Sequence, residues 1–373
     1  MSTAEPGDSA TPTWTMGRLT RRSVGGIAKL LVLAFVVHTF VVPQVGGARA
    51  ALSTVSGVSP WMVAVAVAAE IAAIVSYGEL TLTLLPRQRH LSLAFCTGTA
   101  LASMGINHVL PGGAATTAAV NYRIYGRAGV PRAELAFALG AQAIGSAAVL
   151  NLILWCALLA SIPVSGFHPI YASAAGVGAA LLLVLGAAIL ALQRGRERLA
   201  HEGSRILGRL PFIEPESVER AVRTVGAQLD ALVHTEGVLL RATVAAGLNW
   251  LLDAAALWLM LDAFGPRPPI VGLLVAYGLA NVIAAIPITP GGLGVVEAVL
   301  IPTLIGFGTP AAVAAVGVVA YRLVSFWLPI PTGVACYALL MRRTPEPHPR
   351  GVSALLGDII EHPDDPAGET RAG

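Results

Sequence analysis

The sequence is short of charge. Asp, Glu, Lys and Arg make up 12% of its 373 residues, against about 25% in an ordinary soluble domain, while 55% are hydrophobic and the mean hydropathy is +0.72. That balance excludes a water-soluble globular fold. Cysteine is nearly absent: Cys96, Cys156 and Cys336 are odd in number and lie far apart in apolar stretches, which leaves neither a disulfide framework nor a metal-binding spacing. No metal or other cofactor is expected. Lysine is scarcer still, since Lys29 is the one lysine among 24 basic residues, a bias attributed to genome composition. Also missing are a nucleophile with a nearby base and a P-loop, which disfavours an enzyme. Nothing supports nucleic-acid binding.

What the chain has instead is a series of apolar segments about 20 residues long, the length of a transmembrane helix. Long Ala/Leu/Val runs, rather than alternating ten-residue segments, point to an all-α polytopic membrane protein and not a barrel. Spans are expected near 24–45, 58–80, 91–110, 112–124, 132–162, 170–193, 238–264, 269–287, 292–308 and 310–341. The segments at 112–124 and 292–308 are short or glycine-rich and suit the returning arms of re-entrant hairpins. The first segment has signal-peptide flanks, but its apolar run exceeds the usual ~7–15 residues, so a retained helix is expected. The arginines at 87–89, 123–132, 194–223 and 342–343 fall on one side of an alternating topology. Under the positive-inside rule that side, with both termini, is cytoplasmic. Residues 1–23 and 344–373 read as cytoplasmic disordered tails, 24–343 as the transmembrane domain, and 194–237 as a basic amphipathic segment on the cytoplasmic leaflet.

An internal repeat runs through this arrangement. A shift of 179 positions lays Pro111, Gly112, Gly113, Ala119, Val120, Gly129 and Pro131 on Pro290, Gly291, Gly292, Ala298, Val299, Gly308 and Pro310 without a gap. The preceding helices each carry an acid pair nine apart, Glu70 with Glu79 and Asp253 with Asp262. With repeat one at about 58–162 and repeat two at about 238–341, the deduced orientations make the repeat inverted. Inverted repeats with helices broken near mid-membrane are the pattern of secondary transporters. A Pro-Gly-Gly break frees backbone groups that lipid cannot satisfy, and the helix that starts after it favours an anion. One such break alone reads as a structural kink; two in repeat-related positions do not.

Ionisable residues inside the apolar segments are the next signal, because burying them costs several kcal/mol unless they are paired or hydrated. Glu297, seven residues after Pro290, is expected about two turns into its helix. Arg322 is the basic residue expected near mid-membrane, and Glu297, Asp253 and Glu70 are its candidate partners. A permanent structural pair and an arginine that meets a substrate phosphate remain equal readings. Asn107, His108, Thr116 and Thr117 surround the first Pro-Gly-Gly as a polar cluster suited to an anion or a proton, or to a structural histidine. Glu79 and Asp262 sit near helix ends and reach water. Asn121 to Arg127 reads as an interfacial anchor on anionic headgroups.

The stretch "PITPGGLGVVEAVL" resembles the signature of the lysylphosphatidylglycerol synthase transmembrane-domain family, the flippase-like integral membrane proteins. The match to P-x-T-P-G-G-L-G-x-x-E runs from Pro287 to Glu297, and the resemblance covers about 24–342. Many relatives carry a Gly-Glu pair and an early arginine after the first proline, where this chain has Ala115-Thr116 and first reaches Arg123. The resemblance implies a bacterial-type cell membrane and movement of a lipid between leaflets, of the stand-alone kind without the aminoacyl transferase domain. The implied partner is a lipid with an anionic or polyprenyl-linked headgroup. Three functions follow for weighing: a translocator of an anionic phospholipid or lipid-linked sugar, a secondary transporter of a small soluble anion, and a non-catalytic membrane partner of a lipid or cell-envelope glycosylation enzyme.

Overall fold

The computed structural model describes residues 60–85, 91–110, 113–165, 234–285 and 289–343 and isolated positions between 176 and 230, and among these described residues lie nine helices and two short irregular turns. The expected span at 24–45, most of the one at 170–193, the amphipathic segment before 226, both tails, and Pro111 and Gly112 lie outside the described residues. In chain order the helices are α1 (Pro60–Leu84), α2 (Leu93–Val109), α3 (Ala114–Arg127), α4 (Arg132–Ser165), α5 (Val238–Phe264), α6 (Ile270–Ala284), α7 (Val295–Gly306), α8 (Ala311–Arg322) and α9 (Pro329–Arg343). Among the described residues there is no strand. Among the described residues four stretches are long and apolar enough to cross a membrane: α1, α4, α5 and the continuous run from α8 through α9. An all-α polytopic membrane protein results.

Local chemistry sets the boundaries. Ser92 caps α2 by accepting from the Phe95 N–H at 3.1 Å. Pro60 opens α1 at a position where its missing N–H costs nothing, and Glu134 sits in the first turn of α4 against the positive end of that helix. Two helix ends are the same motif 179 residues apart. At the end of α3, the Val130 N–H reaches the Tyr125 carbonyl at 3.0 Å around Gly129, whose φ is +78°; at the end of α7, the Thr309 N–H reaches the Leu304 carbonyl at 3.0 Å around Gly308, whose φ is +91°. Both are six-to-one closures of the Schellman kind, each followed by a proline that starts the next helix. The sequence repeat is therefore also a repeat of local structure.

Packing crosses between the two halves. The most extensive helix pair is α1 against α5, the first helices of each repeat. Helix α2 packs on α9, and its counterpart α6 packs on α4, so each half buries a helix of the other. The main core cluster joins Leu257, Leu261, Tyr277, Leu300, Leu304 and Val318 of the second half with Ala66 and Leu150 of the first. Polar contacts tie the seams: Asn249 Nδ2 donates to the Ala73 carbonyl at 3.0 Å, Thr81 Oγ1 to Gln142 Oε1 at 3.0 Å, and Trp250 Nε1 to the Ser146 carbonyl at 2.9 Å. In an apolar solvent such contacts and small-residue packing, rather than a hydrophobic driving force, hold helices together.

The α2–α9 seam shows the second device most clearly. Gly105 and Gly333 face each other, and a methyl added at Gly105 would collide with the Pro329 carbonyl oxygen, one at Gly333 with the Leu101 carbonyl oxygen. Both obstacles are backbone, so the helices themselves must separate. Gly105→Ala is expected to destabilise the protein by about 1–3 kcal/mol through overpacking. Gly140→Ala, where an added methyl meets nothing within 4 Å, is expected to leave stability unchanged or slightly raised. Thermal unfolding of the two variants in detergent separates these outcomes, and equal melting temperatures contradict the close-approach account.

Candidate functional site

The break before α7 positions the site. Ala284 ends α6, and the chain resumes at Thr289 with a single 3-10 turn, Pro290–Gly292, closed by Leu293 N–H to the Pro290 carbonyl at 3.2 Å. Gly291, Gly292 and Gly294 have φ of +55°, +71° and +83°, a run of left-handed residues that any side chain would strain. Space makes the same demand at Gly291, where an added Cβ would stand 2.6 Å from both His108 Cδ2 and Phe326 Cε2. The turn is thus pressed against the end of α2 on one side and the α8–α9 junction on the other.

These glycines correct one expectation. Helix α7 begins only at Val295, so Glu297 stands in its first turn and not two turns in. There its Oε2 accepts the Gly294 N–H at 2.7 Å, capping the helix. Its Oε1 accepts from Arg322 Nε at 2.7 Å, and the two side chains are 12% and 8% exposed. Of the three acids open to Arg322, the fold selects Glu297. Arg322 also reaches the Gly291 carbonyl through Nη2 at 3.4 Å, and its guanidinium lies 4.5 Å above the Phe326 ring.

Phe326 belongs to a wider turn, Leu323–Trp327, closed by Leu328 N–H to the Leu323 carbonyl at 3.0 Å. Pro329 explains it. A proline cannot donate to the carbonyl four residues back and crowds it, and one turn of looser winding relieves the clash. The span expected over 310–341 is one continuous helical run with a loosened turn, which sets an aromatic ring and a carbonyl into the interior. His108 uses both: its ring stacks on Phe326 with centroids 4.3 Å apart, and its Nδ1 lies 2.9 Å from the Phe326 carbonyl. Since a carbonyl only accepts, Nδ1 carries the proton. Arg322, Phe326 and His108 form one stack beside the Pro-Gly-Gly turn.

A second polar group adjoins it. Tyr321, the neighbour of Arg322, donates to Asp253 Oδ1 at 2.6 Å, and Tyr277 donates to Asp253 Oδ2 at 2.7 Å. Glu70, 5% exposed on α1, lies against Asp253. The structure so brings Glu70, Asp253, Arg322, Glu297, Pro290, Gly291, Gly292 and His108 into one connected region. Gly113 starts α3 with φ of +50°, and Thr116 is half-buried in the first turn of that helix. Asn107 Oδ1 is buried with no hydrogen-bond partner. Glu79 and Asp262 lie apart, paired with Arg241 at 2.7 Å and Arg267 at 3.2 Å. Sequence reasoning passed over Tyr277, Tyr321 and Phe326. The usable signal was a tyrosine far from any interfacial position, whose hydroxyl needs a buried partner.

A bundle of apolar helices broken at a glycine turn, with an ion pair and further acids in its interior, defines an integral membrane protein. The chain matches the lysylphosphatidylglycerol synthase TM region over residues 26–333, and belongs to that family. It is similar to a UPF0104 membrane protein of Methanothermobacter thermautotrophicus (strain Delta H), 29% identical over 168 residues, which are 42% of this chain and 49% of that protein. Inner membrane protein YbhN of Escherichia coli (strain K12) is 33% identical over 95 residues, 26% of this chain and 29% of YbhN. The matched stretches thus span about half or less of these relatives.

The pair itself is testable. Removing one member of a buried ion pair leaves an uncompensated charge, at a cost of about 3–5 kcal/mol, whereas removing both does not. Glu297→Gln and Arg322→Gln are each expected to lower unfolding stability in detergent by that amount, and the double variant to recover most of the loss. Additive losses in the double variant contradict a direct pair.

Proposed function

We propose that this protein moves an anionic phospholipid or lipid-linked sugar between membrane leaflets. The observation that carries the reading is the double duty of Glu297. Its two oxygens occupy a guanidinium N–H and a helix-start backbone N–H, the two donors that most often hold a phosphate. Glu297 therefore stands where a headgroup phosphate belongs. In this reading the phosphate enters beside the Pro-Gly-Gly turns, takes Arg322 from Glu297, and leaves on the other side as the carboxylate returns. His108, Asn107 and Thr116 line the approach from the first half, with Pro111, Gly112 and Gly113 as the matching turn.

Family membership supports the reading, and so do helices shorter than the bilayer. Helix α6 has 15 residues and α7 has 12, which rise about 22 Å and 18 Å, short of a hydrocarbon core of about 30 Å. This suits an inverted pair of re-entrant hairpins meeting within the membrane. The arginine distribution supports cytoplasmic termini.

The test is translocation of a panel of anionic phospholipids and lipid-linked sugars in proteoliposomes. One lipid class is expected to move with the wild type, and to slow by ~10-fold or more in Arg322→Gln and in Glu297→Gln, as loss of a charge-assisted hydrogen bond implies. Arg322→Lys keeps the charge but not the fork and should fall between. Movement that survives both neutral variants would make the pair structural. No movement of any lipid by folded protein would favour a transporter of a small soluble anion. In the same liposomes, a single cysteine at Gly129 reports orientation through an impermeant thiol reagent.

A further inference from the structure

The phosphate path leaves one buried acidic pair without a task. Glu70 and Asp253 meet in the α1–α5 seam, the most extensive helix contact in the chain. Their surroundings differ. Asp253 accepts one tyrosine hydroxyl on each oxygen, at 2.6 and 2.7 Å. Glu70 is 95% buried, the complement of its 5% exposure, and no group donates to its Oε2. A buried carboxyl oxygen with no donor bears its full desolvation cost. It faces a second carboxyl.

The neighbouring charges do not resolve this. The groups that face Glu70 are Asp253 from α5, Tyr277 from α6, and Tyr321 and Arg322 from α8. Helices α2 and α4 also pack on α1 but present no titratable group that interacts with Glu70 among the described residues. Arg322 is the one cation of this group, and its Nε is committed to Glu297 at 2.7 Å. Two adjoining carboxylates supplied only with neutral donors and a cation already paired cannot both be ionised. One proton between them converts repulsion into a hydrogen bond, and that proton belongs to the pair rather than to either residue.

We propose that Glu70 and Asp253 form a site that holds one shared, exchangeable proton, bound more tightly when Arg322 turns away; this rests on the reading that Arg322 leaves Glu297 for an anionic headgroup. The link is physical. Tyr321 and Arg322 are adjacent in one helix, Tyr321 donates to Asp253, and Arg322 interacts electrostatically with Glu70. With Arg322 on Glu297 the acid pair already shares one proton. When Arg322 turns toward a phosphate its favourable field at Glu70 weakens and the pair holds that proton more tightly; when the phosphate leaves, the hold loosens again. By linkage, anion binding and proton binding then favour each other.

Infrared spectroscopy of the full chain in lipid tests this without a transport assay, so it succeeds or fails separately from the translocation reading. At neutral pH the wild type is expected to show a carbonyl band of a protonated, buried carboxylic acid, shifting in heavy water and lost in Glu70→Gln. Asp253→Asn, which removes the partner, is expected to move the band, and Glu79→Gln to leave it in place. In Arg322→Gln the band is expected to persist to higher pH than in the wild type, because a charge that favours the ionised pair is gone. No such band in the wild type overturns the proposal, as does a band that survives in folded Glu70→Gln. A band that never shifts in heavy water overturns it too, since the proton is then locked in. An unchanged pH range in Arg322→Gln overturns the link to Arg322. The wild-type measurements decide the first and third points even where a variant does not fold.

Discussion

A guanidinium in the interior of an apolar bundle must be neutralised there, and the architecture around residues 290–327 is arranged about that demand. Arg322 is neutralised by Glu297, and Glu297 reaches it only because α7 starts late, after three glycines in left-handed conformation. The glycine turn fits only because His108 and Phe326 leave no room for a side chain at Gly291. Phe326 faces inward only because the helix loosens before Pro329. A change at any of these points removes an ion-pair partner, a cap or a stacking surface from the others. The couplings are short-range, but they join α2, α7, α8 and α9 into one unit.

The repeat gives this unit a frame that is nearly symmetric and a centre that is not. Helix ends at Gly129 and Gly308 close with the same hydrogen bonds, and the α2–α9 and α6–α4 packings exchange helices between halves. The ion pair belongs to the second half alone. At the position 179 residues before Glu297 stands Ala118, and before Arg322 stands Ala143. What the first half contributes is His108 against the turn and Glu70 against Asp253. One half thus carries the ion pair, and the other supplies side chains that adjoin it.

Much of the fold was legible because membrane helices announce themselves by length and apolarity. The span read at 238–264 coincides with α5, and those at 132–162 and 310–341 start within one residue of α4 and α8. Helix α1 runs to Leu84 rather than stopping near 80, since Glu79 and Thr81, polar enough to suggest an end, bond Arg241 and Gln142 on neighbouring helices. The site was legible in its members but not in its pairings. Glu297, Arg322, Asp253 and Glu70 stand out as charges in apolar runs, yet the choice of Arg322's partner depends on how α7 meets α8. The delayed start of α7 and the loosened turn before Pro329 escaped because backbone conformation, not residue type, decides them. Tyr277 and Tyr321 escaped because a tyrosine carries no charge to mark it.

The central claim is that Glu297 occupies an anion site that a headgroup phosphate also fits. Equilibrium binding of a short-chain anionic phospholipid to purified wild type, Glu297→Ala and Arg322→Gln tests it most directly. If the carboxylate is an internal competitor, Glu297→Ala binds the lipid more tightly than the wild type, and Arg322→Gln loses binding. If Glu297→Ala binds no better than the wild type, or Arg322→Gln binds as well, the pair is a structural clasp and the phosphate site lies elsewhere.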